Sequence, residues 1–160
     1  MYTNQQVTSN QRRTWDGVPG ELTETERLFA RFKRRRLWDG VWGWASRRSA
    51  TLHDLESAVG ANTSLSSRNA GEQTVSLDRI IGTVERSRTF DFDSDFRPIS
   101  DHSKQRWVAV ATLFRRGRYI PPVDLIQYGE SYFVIDGHHR VSAAKALGWS
   151  RLQAQVTVVE

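Results

Sequence analysis

The sequence predicts a small α/β (α+β) domain, in which helices pack on a mixed sheet, preceded by an N-terminal helical extension. Within residues 74–160, short apolar runs typical of strands alternate with segments whose apolar residues recur at helical spacing. Residues 61–73 are rich in Ser, Asn and Gly, a composition typical of a linker. A chain of 160 residues is long enough to bury one core of ordinary size.

The N-terminal part is expected to consist of a flexible tail over residues 1–20 and a helical extension over residues 21–60. The tail is polar and lacks the apolar segment of a signal peptide. Thr23 and Glu26 have the spacing of a capping box, which predicts that the first helix begins at Thr23. A second short helix is expected over residues 52–59, followed by a glycine that ends it.

Arginine and aromatic residues are concentrated between residues 27 and 44, around an Asp39-Gly40 pair that is expected to kink or end the helix. This pattern leaves several partners open. Tryptophan and arginine are frequent at protein interfaces, so the segment suits a homodimer contact, another protein partner or packing on the C-terminal domain. The same residue types also bind nucleic acid through phosphates and stacked bases, or lie at a membrane surface.

The elements of the C-terminal domain, residues 74–160, follow from local patterns. Four apolar residues between Trp107 and Phe114 recur at i, i+3, i+4 and i+7, which predicts a helix with one buried face. Tyr128-Gly129-Glu130 predicts the turn of a hairpin. The expected order is a strand at 74–77, a helical turn at 77–81, a long loop at 82–98, a helix at 101–116 capped by Ser100, strands at 123–127 and 131–135, a helix at 138–147 and a strand at 152–159.

The joint Asp136-Gly137-His138-His139-Arg140 connects a predicted strand to a predicted helix. Glycine can adopt positive φ there and lets a ligand approach the backbone. The first turn of the helix offers unpaired N–H groups and the positive end of the helix dipole. Arg140 adds a forked cationic donor that suits phosphate or carboxylate. The pattern therefore predicts a phosphate-binding strand–turn–helix.

The spacing Gly137-x-x-Arg140-x-x-Ala143 resembles the nucleotide-binding box of the ParB/sulfiredoxin superfamily. Asp136-Gly137-His138-His139-Arg140 is most similar to the branch that contains the ADP- or ATP-dependent free serine kinases. The resemblance covers Thr74 to Glu160 and implies a ParB/sulfiredoxin-like fold. It also implies a bound nucleotide (ATP, ADP or CTP) together with Mg²⁺.

Departures from the superfamily pattern separate its branches. Sulfiredoxins have a cysteine directly before the His-Arg pair, where this chain has His138, and the chain contains no cysteine. Peroxiredoxin repair is therefore excluded. Partition-type ParB proteins have Glu-Arg where this chain has His138-His139, and they continue into a helix-turn-helix domain. Only about a dozen residues follow Gly148, so sequence-specific centromere binding is not expected.

The resemblance implies roles for particular residues. Glu85 follows Leu77-Asp78-x-x-Ile81 at a distance similar to that of the catalytic glutamate in the serine-kinase branch, which deprotonates the substrate hydroxyl. A surface glutamate paired with Arg86 or Arg88 is the alternative. Arg140 and His139 would counter developing charge. The expected catalytic residues are Glu85, Asp136 and His139, and the expected phosphate-binding residues are Gly137, His138, His139, Arg140 and Ser142.

Composition limits the remaining options. The net charge is +5 and the basic excess lies within residues 1–70, outside the predicted nucleotide domain. The absence of cysteine excludes disulfides and thiolate metal sites. No apolar stretch is long enough to span a membrane, so a cytoplasmic protein is expected. No protein-only metal site is expected, because Asp91-x-Asp93-x-Asp95 lacks the later residues of a calcium loop and adjacent histidines diverge on a helix.

Three functions remain open. The first is a nucleotide-dependent phosphotransferase or hydrolase that acts on a small hydroxyl compound. The second is a non-catalytic nucleotide-binding switch that reorganises the N-terminal helix or a dimer. The third is a DNA-associated, ParB-like protein, CTP-binding or of nuclease type. The box favours the first function, whereas the basic aromatic helix favours the second or the third.

Overall fold

The computed structural model of the protein describes residues 19–42, 51–60 and 65–160. Most of the expected tail, residues 61–64 of the expected linker and the side chains of Trp38, Trp42 and Trp44 lie outside the described part. The elements within it are α1 (Pro19–Trp42), β1 (His53–Asp54), α2 (Leu55–Val59), β2 (Ser67–Ser76), β3 (Ile80–Thr83), α3 (Lys104–Arg115), β4 (Val123–Tyr128), β5 (Ser131–Asp136), α4 (His138–Ala146) and β6 (Arg151–Val159), with 3₁₀ turns at Leu77–Arg79 and Arg86–Phe90.

The six strands form one mixed sheet in the order β1-β3-β5-β4-β6-β2. Strands β1, β3 and β5 are parallel to one another, β4 is antiparallel to β5 and parallel to β6, and β2 is antiparallel to β6. The fold class expected from the sequence is confirmed. Because of these directions, the carboxyl ends of β1, β3 and β5 meet the amino ends of β4 and β6 at one edge of the sheet.

Strand β3 is a correction to the sequence analysis, which expected a loop from residue 82 onward. Gly82 lies inside this strand, and a Cβ on it would be 2.3 Å from the His53 carbonyl oxygen and 2.6 Å from the Phe133 ring. The backbone of His53 and the ring of Phe133 therefore pack directly on the backbone of Gly82. A glycine inside a four-residue strand weakens the local strand signal, so the strand is not recognised without its neighbours.

Strand β2 is a second correction, because residues 67–73 were expected to be linker. The strand pairs with β6 from Ser67 opposite Val159 to Ser76 opposite Arg151, with an irregularity between Asn69 and Gly71. It lies at the sheet edge and most of its side chains are at least partly exposed. Polar residues are favourable at such an edge, which explains why its composition is similar to that of a linker.

Helix α1 begins at Pro19, so the prediction that Thr23 is its N-cap is wrong. Proline is favoured at the first helical position because its missing N–H has no partner there anyway. The helix also continues through Asp39-Gly40 instead of ending at that pair. Phe29 and Phe32 on this helix are buried against Trp107 of α3, with ring centroids 5.3 and 6.5 Å apart. Helix α1 is therefore part of the main core.

The remaining predictions differ from the structure mainly at element ends. Helix α3 begins at Lys104 after Ser103, not after Ser100, and α2 covers only Leu55–Val59 because strand β1 precedes it. The hairpin, α4 and β6 are confirmed to within a residue. None of the helices in the described part of the chain is both long and apolar enough to cross a membrane.

Candidate functional site

The expected site residues meet at the sheet edge where β3 and β5 end. Thr83 of β3 pairs with Val134 of β5, so the end of β3 lies beside the last residues of β5. Helix α4 starts directly after β5, and its amino end faces the same edge. Glu85 follows β3 and Asp136 ends β5, so the topology brings both candidate carboxylates to this edge.

Gly137 is the N-cap of α4, with φ 104° and ψ 21°. A Cβ at this position would be 2.6 Å from Val123 Cγ1 and 2.9 Å from Arg140 Nε. Both the positive φ and the close packing therefore require glycine. As glycine has no side chain, it makes no capping hydrogen bond to the first turn of α4. The first backbone N–H groups of the helix and its dipole form a site that suits an anion.

His138 is buried and faces β3 instead of solvent. Its Nε2 is 2.8 Å from Thr83 Oγ1, and its ring stacks on Phe92 with 6.1 Å between centroids. Burial, followed by the charge of Arg88, lowers the pKa of His138 to about 4. The imidazole is therefore neutral at pH 7, and it connects α4 to the end of β3.

His139 is partly buried, and its ring meets the Phe92 ring edge-on. Burial is the main cause that lowers its pKa to about 4, and the charge of Arg106 comes next. From the sequence, this residue is expected to counter developing negative charge. In its neutral form the imidazole would do so through a ring N–H and not as a cation.

Arg140 is bonded within the protein. Its guanidinium donates to the Pro121 and Pro122 carbonyl oxygens at 2.7 and 2.5 Å and to Asp136 Oδ2 at 2.5 Å. The side chain is only 15% exposed, whereas that of Asp136 is 72% exposed. Arg140 thus connects the start of β4 to the end of β5. This contact set indicates a residue that holds the turn in position, rather than a free cation aimed at a ligand.

Glu85 is exposed, and its carboxylate accepts hydrogen bonds from Ser87 Oγ at 2.6 Å and Arg88 Nε at 3.1 Å. These bonds, that of Ser87 first, lower the pKa of Glu85. Its backbone N–H donates to Thr83 Oγ1, so the same hydroxyl contacts both Glu85 and His138. The ion pair with Arg88 fits the alternative of a paired surface glutamate, and the position beside His138 keeps the carboxylate at the candidate site.

The ParB N-terminal domain family matches residues 65–160, more than half of the chain. The protein belongs to the ParB N-terminal domain family. Among solved structures, it is similar to sulfiredoxin from Arabidopsis thaliana (19% identity, TM-score 0.40, 53% of this chain and 82% of that chain). It is also similar to a Pnob8-like ParB-N domain (19% identity, TM-score 0.39, 61% of this chain and 32% of that chain). No curated protein matches the sequence.

Membership of this family confirms the resemblance to the ParB/sulfiredoxin superfamily, but one expected phosphate-binding residue is not at the site. Ser142 is fully buried and its Oγ accepts a hydrogen bond from Trp107 Nε1 at 2.8 Å, so it is a core residue. Asp93 is buried as well, and its Oδ1 accepts the N–H groups of Asp95 and Arg97. Asp93 thus caps its own loop, and burial raises its pKa.

Sequence reasoning missed Thr83 and Phe92, which hold the two histidines of the ParB-like site. Thr83 could have been found only by recognising β3, because the last residue of the strand parallel to β5 must lie beside the box. Phe92 lies in the loop after the 3₁₀ turn, and it is fully buried although the surrounding Asp91 and Asp93 suggest a surface loop. Alternating Phe and Asp residues were the available signal.

Proposed function

We propose that this ParB-family domain binds a nucleotide through its phosphates at the amino end of α4 and transfers or hydrolyses a phosphoryl group there. One observation carries the proposal: the amino end of α4, where Gly137 offers no capping side chain, lies at the sheet edge where the carboxylate of Glu85 is exposed. An anion site beside an ionised carboxylate combines a phosphate cradle with a group that can accept a proton.

The proposed reaction assigns different tasks to the residues at this edge. The α4 amides would bind phosphate oxygens, and Arg88 would add positive charge beside Glu85. Arg140 would keep the turn in place through Pro121 and Pro122, which makes it a positioning residue. Neutral His138 would hold the end of β3 against α4 through Thr83. Phosphoryl transfer depends mainly on this kind of positioning and charge neutralisation.

The bond changes are those of an in-line displacement. The acceptor oxygen, from water or a small hydroxyl compound, forms a bond to phosphorus as the bond from phosphorus to the leaving phosphate oxygen breaks. The acceptor proton passes to Glu85 and then to solvent. The lowered pKa of Glu85 makes it a weak base, so it would orient the hydroxyl first and take the proton as the new bond forms.

Mg²⁺ would supply neutralisation of the phosphate charge if it accompanies the nucleotide. In the part of the chain that the structure describes, no three His, Cys, Asp or Glu side chains converge on one point. The exposed carboxylate of Asp136 fits a role as one oxygen ligand. The remaining ligands would then have to be phosphate and water oxygens, which suit this ion.

Calorimetric titration with ATP, ADP, CTP and GTP in the presence of Mg²⁺ tests the binding part of the proposal. Mass spectrometry of product formation, with water and with a panel of hydroxyl compounds that includes serine, tests the chemistry. We expect E85Q to keep its nucleotide affinity and to form product about 10²–10⁴ times more slowly than the wild type. Glu130, exposed at the opposite end of β5, provides the control variant E130Q, which should react normally. Absence of binding for all four nucleotides would remove the proposal.

A non-catalytic switch is the second candidate, because one observation favours it. Helix α1 packs on α3 through Phe29 and Trp107, and α3 is joined to α4 by the hydrogen bond from Trp107 to Ser142. A ligand that moves α4 would therefore act on the packing of α1. Tight nucleotide binding without turnover in the wild type would favour this function over phosphoryl transfer.

A further inference from the structure

A pocket lies at the same edge of the sheet, next to the first residues of β6. Its volume is about 260 Å³, and Thr74 of β2 and Gln153 of β6, which pair with each other, form part of its wall. The lining combines cationic, aromatic and apolar side chains, among them Arg118, Arg140, Arg151, Phe114, Trp149 and Leu152.

This pocket is separate from Glu85, although Arg140 of the first turn of α4 contributes to its lining. Glu85 follows β3, whereas the pocket lies over β6 and β2, and the strands β5 and β4 stand between them. Three steps between neighbouring strands correspond to roughly 14 Å. A ligand in the pocket would therefore be out of reach of Glu85, and the phosphoryl transfer proposed above does not use it.

The charges in the pocket favour an anion. Arg118 and Arg151 are exposed, and within the described residues neither forms an ion pair with a carboxylate. Arg140 contributes further positive charge, although it also contacts Asp136. Guanidinium groups match phosphate and carboxylate through paired hydrogen bonds. Two unpaired arginines at the mouth of a cavity are thus arranged to recognise such a group.

The aromatic residues in the pocket favour a ligand with a ring. Trp149 is 42% exposed although it is a large apolar residue. Its ring packs on that of Phe114 with 4.5 Å between centroids, which holds the indole in place. Leu152 is buried below and adds an apolar wall. A fixed and partly open indole beside two arginines offers a stacking surface next to an anion site.

We propose that this pocket binds a small aromatic anion, in which one planar ring carries a phosphate or carboxylate group. The ring would stack on Trp149 while Arg118 and Arg151 bind the anionic group. The volume lies below the range of roughly 300–1,000 Å³ that is common for larger ligands, so a compound of one ring fits better than a nucleoside triphosphate. Single-stranded nucleic acid would instead need several stacking residues along a groove.

Titration of the full-length protein, followed by the NMR signals of the tryptophan indole N–H groups, tests the proposal. W149F identifies the signal of Trp149, and Trp107, whose indole is bonded to Ser142, serves as the internal reference. We expect phenyl phosphate to shift the Trp149 signal saturably and to leave that of Trp107 unchanged. Inorganic phosphate contains only the anionic group and phenol contains only the ring, so both should bind more weakly than phenyl phosphate.

Variants separate binding in the pocket from unspecific attraction to a basic protein. Replacing Arg118 and Arg151 together by Gln should weaken phenyl phosphate binding by roughly tenfold or more, since charged hydrogen bonds are lost. R68Q, which changes an exposed arginine at the far end of β2, should bind as the wild type does. Because the probe contains no nucleotide, this result is independent of the proposed phosphoryl transfer.

Four outcomes would overturn the proposal. The first is the lack of a saturable shift of the Trp149 signal at millimolar phenyl phosphate, and the second is equal affinity in the double arginine variant. The third is much tighter binding of a short oligothymidylate through the same signal, which would assign the surface to nucleic acid. Displacement of phenyl phosphate by ATP would show that the pocket is part of the nucleotide site, and would also contradict a separate site.

Discussion

Gly137 is the residue at which backbone geometry most directly limits the sequence of the site. G137A would place a Cβ 2.6 Å from Val123 at a φ of 104°. We expect a loss of about 2–4 kcal/mol in the free energy of unfolding, because strain at positive φ and a clash in the core add together. Urea denaturation measures this loss.

Gly148 provides the control for this substitution. It also has positive φ, 78°, but a Cβ there would meet nothing within 4 Å. G148A should therefore lower the free energy of unfolding only by the strain of a side chain at positive φ, about 1–2 kcal/mol. Equal losses in the two variants would show that the contact between Gly137 and Val123 has no energetic importance.

Arg140 was expected from the sequence to bind phosphate, and its contacts now predict a structural effect as well. R140Q removes charged hydrogen bonds to Asp136, Pro121 and Pro122. We expect the free energy of unfolding to fall by about 2–3 kcal/mol, since carbonyl groups lose a charged donor. D136N should lose less, because its carboxylate is largely exposed. If R140Q unfolds at the same urea concentration as the wild type, these contacts do not stabilise the fold, and Arg140 is free to bind phosphate.

The two histidines of the box predict how stability depends on pH. The pKa of His138 and of His139 is lowered to about 4 in the folded protein, while that of an unfolded histidine is about 6.5. The unfolded chain thus binds more protons between these values. Stability should therefore be fully present above about pH 6.5 and decrease as the pH falls toward 4.

Chemical denaturation between pH 7 and pH 4 checks this dependence, with H138Q as the comparison. Removing one titrating imidazole should reduce the slope of the free energy of unfolding against pH by up to about 1.4 kcal/mol per pH unit. Asp93, whose pKa is raised by burial, acts in the opposite direction, but it is present in both proteins and cancels in the difference. Identical slopes in the wild type and H138Q would mean that His138 is accessible to protons in the folded state.

Helix α1 contributes both apolar contacts and ion pairs to the core that supports α3. Phe29 is 2% exposed against Trp107, and Glu26 of α1 is 3.1 Å from Lys104 of α3. F29A should lower the free energy of unfolding by about 3–5 kcal/mol, as expected for a large buried aromatic residue. R31A, on the exposed side of the same helix, should change it by less than about 0.5 kcal/mol. Similar small losses in both would show that α1 docks only loosely.

The sheet as a whole predicts which fragments of the chain can fold. A fragment of residues 74–160, the C-terminal domain expected from the sequence, lacks most of β2 and therefore leaves β6 as an open edge. It also lacks Phe29, Phe32 and the buried Leu52. We expect residues 74–160 to be insoluble or unfolded and residues 19–160 to fold cooperatively. Circular dichroism during thermal unfolding distinguishes the two, and a cooperative transition in the short fragment would contradict this view of the core.

Local signals account for the parts of the fold and site that could be read from the sequence. The hairpin, α4 and the box depend on residues close in the chain, such as the turn glycine Gly129 and the αL glycine Gly137. The apolar face of α3 could also be predicted, because Trp107 and Ala111 are one helical turn apart in the sequence. Both residues are fully buried in the structure. Such patterns have the same meaning in any fold, since they follow from backbone geometry.

The sequence alone determined the fold class, the family, the glycine turn and the segment that carries the candidate site. Only the tertiary structure decided that β2 and β3 are strands, that Arg140 is held by Pro121 and Pro122, and that Ser142 belongs to the core. The physical reason is the distance along the chain. Strand pairing and burial depend on partners that are far away in sequence. Whether a polar side chain binds a ligand, makes a structural contact or belongs to the core depends on which groups the fold places next to it.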